Sequence, residues 1–313
     1  MRVTRLHLRV LLGALWLFDG LLQCQPRLFT RAFAQHVLLP AQQGQPGLVS
    51  PLTHEVARLV LAHPALANGG FAFVQIALGI GLLRRRRPRM FVAGSVAWAL
   101  SVWIIGEGFG GLTMNGSLLS GAPGAALLYA VIALLAWPSR DARRGDAPSR
   151  WALIAWSALW TGGAALQVVN ENNPATSLHT LLRNAQSGAP RWIARLDHHL
   201  LGLSAPRLAP ALLVGLYVLL AIWATVPGLV RRLSLVVGSL IALTSWFVFQ
   251  GLGDVTSGLS TDPNTGPLIL VLALAAVGAT RAEKVTLAPS TACAEESFDQ
   301  SEVVRADREL TLV

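Results

Sequence analysis

Trp16, Asp19, Gly20 and Gln23 fall at positions i, i+3, i+4 and i+7, so on a helix they share one stripe. Asp19 interrupts an apolar run that ends near Pro26. At 1.5 Å per helical residue it would sit roughly 10 Å below the end of that run. In hydrocarbon a carboxylate costs up to about 3 kcal/mol on insertion scales, so the stripe should face protein or a wet cavity. That makes Asp19 and Gln23 candidates for binding a substrate or ion, the alternative being a structural hydrogen bond.

A second acid, Glu107, opens the run Gly106, Glu107, Gly108, Gly110, Gly111. Gln167, Gln250 and Asp254 complete the candidate substrate- or ion-binding set. Asp254, Asp262 and Asn264 could hold a cation, although Asp262, Pro263, Asn264 also reads as turn chemistry. The Gly-rich loops at 106–124 and 251–267 contain no Lys or Arg, which argues against a phosphate cradle. They read instead as tight turns or partial re-entry. Six of the seven histidines, His36, His54, His63, His179, His198 and His199, fall together with Asp197 on what the topology below makes the outer side. A set of His54, Asp197 and His198 could ligate copper, zinc or iron, and the cofactors to consider are a metal, haem or a quinone. Against a metal stands the absence of an H-x-x-x-H pair, and adjacent His198 and His199 would point about 100° apart on a helix. No catalytic residue is assigned, because no Ser-His-Asp set, P-loop or two-cysteine redox spacing occurs.

The elements that must position these residues follow from composition. The chain has 313 residues, of which 53% are hydrophobic and 13% charged, with a mean hydropathy of +0.53. A soluble domain carries about 25% charged residues. Apolar segments run roughly over 8–25, 59–83, 90–106, 122–137, 151–169, 209–230, 233–250 and 266–280, at lengths that suit a bilayer. The fold class expected is therefore an all-α integral membrane protein of about eight transmembrane helices. The N-terminal run imitates a secretory signal, but Asp19 and the lack of a small-x-small site before Pro26 favour a retained first helix.

A net charge of +9 does not imply nucleic acid, since the basic residues form short blocks between apolar runs. With the N-terminus inside, 18 of the 25 Lys and Arg residues face the cytoplasm. That bias places both termini in the cytoplasm of a bacterial-type inner or plasma membrane. Cys24 and Cys293 then face opposite sides and cannot pair within one chain.

Shifting the chain by 144 residues aligns Trp16 with Trp160, Gln23 with Gln167, Pro46 with Pro190, His54 with His198 and Pro123 with Pro267. A shift of 143 aligns Trp103 with Trp246, Glu107 with Gln250, Gly108 with Gly251 and Gly110 with Gly253. Two tandem parallel four-helix repeats are expected, 1–144 and 145–284, followed by a disordered cytoplasmic tail, 285–313. An even number of spans per repeat gives a pseudo-two-fold axis along the membrane normal. The acids have diverged, with Gly163 opposite Asp19 and Gln250 opposite Glu107.

Four-helix units of this kind resemble, in architecture, the DoxX-like membrane proteins, and the runs around Trp16 to Pro26 and Gly106 to Gly111 resemble those of uncharacterised bacterial polytopic membrane proteins. The resemblance implies an architecture, and some of those proteins are associated with sulfur or thiol redox chemistry. Three functions follow as expectations. One is an accessory protein in redox or metal handling with an outer-facing polar site between the repeats. Another is a proton- or cation-coupled small-molecule permease. The third is a non-catalytic scaffold that holds a protein partner through its tail. The lipid bilayer is the partner common to all three, and enzymatic activity is not specifically indicated.

Overall fold

In a computed structural model the chain is all-helical over the residues the structure describes, which are 3–43, 45–84, 86–113, 116–138, 147–170, 177–186, 188–202 and 209–287 (backbone alone for 282–287). Met1–Ala279 form one compact unit and Thr280–Val313 a second. The helices are α1 (Arg5–Leu22), α2 (Ser50–Ala62), α3 (Pro64–Leu83), α4 (Pro88–Ser101), α5 (Ala125–Leu135), α6 (Trp151–Val169), α7 (Leu178–Ala185), α8 (Arg191–Leu201), α9 (Ala209–Thr225), α10 (Leu229–Val248) and α11 (Thr265–Leu287). Short helical turns between 26 and 42 join α1 to α2, and a wide π-type turn, Val102–Gly106, extends α4.

Four helices are long and apolar enough to cross a membrane: α3, α4 with its π turn, α6 and α10. Helices α5, α9 and the Thr265–Arg281 part of α11 are apolar but shorter. Helix α1 has 18 residues and carries Arg5, Arg9 and Asp19. Exposed Leu66, Phe73, Val169, Leu212 and Leu229 are what a lipid-facing surface requires and what water would penalise. These helices mark the chain as a membrane protein, and each of the eight apolar segments read from the sequence overlaps a helix. The tail expected from 285 overlaps the end of α11, and 288–313 lie outside the described residues. So do Arg2, Arg85, Arg140, Arg143, Arg144, Arg207, Arg305 and Arg308, the side chain of Lys284, and Cys293.

Local chemistry explains where several helices begin and how they pack. Thr4 and His7 form a capping box at the start of α1. Proline stands in the first turn of α2, α3 and α4, where no intrahelical N–H is needed. Arg231 is buried and its Nε donates to the Ala224 carbonyl at 3.0 Å, satisfying an end of α9 that would otherwise lack a donor. Helices α1 and α3 approach through glycine, because a Cβ on Gly79 would lie 2.6 Å from Leu17 Cγ and 2.9 Å from the Gly13 carbonyl. Trp16 then donates from Nε1 to Ser95 Oγ at 2.8 Å, tying α1 to α4.

The main core runs through all eight apolar helices and includes Trp16, Tyr129, Trp156, Trp160 and Tyr217. A separate small core of Leu28, Phe33, Ala34, Leu38, Ala57 and Val60 joins the 26–42 turns to α2, and Leu259 packs on it. In the sequence this cap lies between the apolar runs 8–25 and 59–83, with no apolar run of its own to announce it.

Gly79→Val should destabilise the protein by about 1–3 kcal/mol, the usual cost of overpacking. Thermal or denaturant unfolding in detergent checks this, and an unchanged midpoint would show that α1 and α3 do not pack through Gly79.

Candidate functional site

Two loops build the site, and both leave a helix in the same way. After α4, the Glu107 N–H donates to the Val102 carbonyl at 2.9 Å; after α10, the Gln250 N–H donates to Ser245 O at 3.0 Å. Each is followed by four consecutive residues at positive φ: Gly108, Phe109, Gly110 and Gly111 at 55°, 61°, 60° and 79°, and Gly251, Leu252, Gly253 and Asp254 at 51°, 59°, 72° and 53°. Left-handed backbone is costly for residues with a Cβ, which is why glycine fills most of these positions. Gly110 also has no room for a side chain, because a Cβ there would meet the Pro123 carbonyl.

Each loop returns to a helix start in the same way. Trp103 Nε1 donates to Pro123 O and Trp246 Nε1 to Pro263 O, both at 2.7 Å. Leu119 N and Leu259 N donate to Ser117 Oγ and Ser257 Oγ at 3.3 and 3.0 Å. Pro263 thus takes in the second loop the bond that Pro123 takes in the first. Glu107 Oε1 accepts from the N–H of Ala126, the second residue of α5, at 2.9 Å. Gln250 Oε1 accepts from Gly266 N, the second residue of α11, at 3.3 Å. A carboxylate at a helix N-terminus is favoured by the free N–H groups and by the helix dipole.

The loops cross to opposite sides. Leu118 lies where a Cβ on Gly163 of α6 would be 2.7 Å from its Cδ2, and Asn170 Nδ2 donates to Gly116 O at 3.2 Å. The other loop meets the end of α1, where Gln25 Nε2 donates to Ser260 O at 3.2 Å and Arg27 to Ser257 O at 2.8 Å. Asp262 is thereby brought to the cavity that Asp19 lines.

That cavity measures about 400 Å³ and is bounded by α1, the 33–38 turns, α2, α3, α4, α5 and Asp262. Its walls are mainly apolar, with the rings of Trp16, Phe33, Phe71, Trp98 and Tyr129. Trp16 and Tyr129 are 4.3 Å apart by ring centroids. Polar groups gather at one side: Asp19, Gln23, Gln75, Glu107 and Asp262. Asp19 and Gln23 are each 1% exposed. Gln23 Nε2 donates to Asn68 Oδ1, and Asn68 Nδ2 donates to the Gln23 carbonyl at 2.9 Å. Asp19 Oδ1, Gln23 Oε1, Gln75 Oε1 and Glu107 Oε2 are buried without a hydrogen-bond partner. The Tyr129 hydroxyl neighbours Asp19, although Oη makes no well-formed hydrogen bond. Among the described residues no Lys, Arg or His lines the cavity.

The loop acids feel this environment. Burial, then the charge of Asp262, pushes Glu107 up to about 8 from 4.5. Burial likewise raises Asp262, against the hydrogen bonds its carboxylate accepts from Asn264 N at 2.7 Å and Thr261 Oγ1 at 3.1 Å. Two coupled carboxyls of this kind hold a proton at neutral pH that belongs to the pair.

The structure thus brings together Asp19, Gln23 and Glu107 from the sequence candidates. Gln167 is buried on α6. Gln250 is buried among Leu119 O, Ser245 and Thr265, to which its Nε2 donates. Asp254 ends the second left-handed turn, against Gly188. His54 lies on α2 and His198 on α8, next to the fully buried Asp197. Among the described residues no three His, Cys, Asp or Glu side chains, these included, are grouped to hold a metal. Tyr129 and Gln75 were missed because neither has a sequence signal beyond being polar in an apolar helix. The sequence groups Asp262 with Asp254 and Asn264, as a cation site or as a turn; Asp262 makes the turn and also lines the cavity with Asp19.

The chain matches no protein-family model, no curated protein and no solved structure.

The pH dependence of stability follows from Glu107. The folded protein holds a proton that the unfolded chain loses near pH 4.5, so stability is greatest below that pH and falls as pH rises toward 8. Glu107→Gln, which mimics the protonated acid, should flatten this fall between pH 5.5 and 8.5. Unfolding midpoints at the two pH values check it, and an unaltered slope would show that Glu107 is not the titrating group.

Proposed function

We propose that this chain is an eight-span membrane protein of two tandem four-helix repeats with a single outer-facing site, and that it works as a proton-coupled small-molecule permease. The matched left-handed turns, the Trp103 and Trp246 bonds and the equivalent Glu107 and Gln250 contacts support the duplication. Arginine bias supports an outer position for the loops, with both termini inside. The DoxX-like resemblance belongs to this proposal at the level of four-helix architecture.

The observation that carries the reading is the apolar cavity of about 400 Å³ edged by the carboxyls of Asp19, Glu107 and Asp262. Pockets of this size and apolarity suit small organic ligands. Intramembrane acids facing a cavity are the usual markers of proton or ion pathways. A group that binds substrate in one protonation state and a proton in the other couples the two fluxes.

A second reading, an accessory protein in redox handling that binds a quinone, is favoured by Tyr129 beside Asp19 and Trp16. Organic extraction of the purified protein and an ultraviolet spectrum would reveal such a ligand.

In proteoliposomes carrying an internal pH dye and challenged with a panel of neutral and charged lipophiles, the wild-type protein should move protons with at least one compound. Asp19→Asn should reduce that coupled flux at least about tenfold, a loss of the kind that removing a proton-transfer group produces, with the unfolding midpoint preserved. Undiminished flux in a folded Asp19→Asn protein would remove the permease mechanism.

A further inference from the structure

Every side chain that rims the cavity can be asked what it would offer an incoming molecule. Among the described residues, Asp19 Oδ1, Gln23 Oε1 and Gln75 Oε1 are buried acceptors without a hydrogen-bond partner, and Glu107 Oε2 joins them once that carboxyl has lost its proton. Against them stand Trp98 Nε1, an unpartnered donor, and Tyr129 Oη, which can do either. Once the carboxyls are ionised the wall has an excess of acceptors, and buried acceptors left unpaired are costly. A ligand that is itself an acceptor, such as a quinone carbonyl, would leave most of them unsatisfied.

The charge points the same way. The titratable groups facing the space are Asp19 on α1, Glu107 at the end of α4, Tyr129 on α5 and Asp262 before α11. Helices α2 and α3 and the 33–38 turns add apolar side chains and Gln75. Five aromatic rings surround the rest of the space, and ring faces attract organic cations most strongly where water is excluded.

We propose that the cavity is selective for organic monocations: lipophilic amines, or delocalised aromatic cations, seated against Asp19 and ringed by Trp16, Phe71 and Trp98. This rests on the cavity being a small-molecule site. Neutral analogues lose the charge interaction and anions are repelled. Entry of the cation displaces a proton from the carboxyl cluster, so charge is conserved: one cation enters, one proton leaves to solvent.

The test uses the full chain in nanodiscs of zwitterionic lipid, with radiolabelled tetraphenylphosphonium as the cation and triphenylphosphine oxide and a short-chain ubiquinone as neutral competitors. Saturable cation binding is expected, tightening at least tenfold from pH 6 to pH 8.5, with about one proton released per cation in weakly buffered solution. The neutral compounds should not compete. Asp19→Asn and Asp262→Asn, the second keeping the turn to Asn264, should each weaken binding at least tenfold while the unfolding midpoint is retained. Equal competition by the neutral compounds, or binding indifferent to pH and to both substitutions, would overturn cation selectivity and leave the cavity a small-molecule site. Absence of saturable binding by all three compounds would remove that reading as well.

Discussion

Three carboxyl groups share an apolar cavity that no basic side chain among the described residues lines, and the surrounding structure is what makes this tolerable. Asp19 is held on α1 by close glycine packing against α3 and by the Trp16 bond to Ser95. Glu107 spends one oxygen on the start of α5, and Asp262 spends one on Asn264 N. Carboxyls in such surroundings are stable when protonated, hydrogen-bonded or joined by a cation. On the proposed function the site exchanges its occupant, since a proton and a cation answer the same need. An ordinary buried salt bridge would have fixed the charge permanently.

The two loops place the same backbone device at two points and different chemistry at each. At one, Asp262 faces the cavity that contains Asp19; at the other, Leu118 fills the space beside Gly163. Trp16 has Ser95 as its acceptor, whereas Trp160 packs against Gly238 and its Nε1 is left without a partner. Gln250 makes with a neutral amide the contact that Glu107 makes with an acid. On the proposed duplication, one copy has kept or gained a polar site and the other has become packing. That division explains why charge diverges between the copies while the glycines and tryptophans that shape the turns recur.

Much of the helical plan was readable in the sequence, because a helix in a bilayer must satisfy its own backbone and therefore shows as an uninterrupted apolar run. Asp19 and Gln23 stood out for the same reason, as polar residues at helical spacing in such a run. The glycines of the loops also signalled unusual backbone, although four successive left-handed residues could not be inferred from a Gly count. Tyr129 and Gln75 gave no warning, since their importance comes from facing a cavity that only tertiary packing defines. Asp262 is 243 residues from Asp19 in sequence, and its turn chemistry is genuine, so its second role needed the loop crossing to be seen.

The central claim is that the 250–264 loop delivers a carboxyl to the cavity that Asp19 lines. A double-mutant cycle with Asp19→Asn and Asp262→Asn, read as unfolding free energy in mixed micelles at pH 8, measures their interaction across the cavity directly. Each neutralisation should relieve the other acid, so the double variant gains less than the sum of the singles, by at least about 0.5 kcal/mol. Strict additivity would mean that the two carboxyls do not interact, and the site as described would not exist.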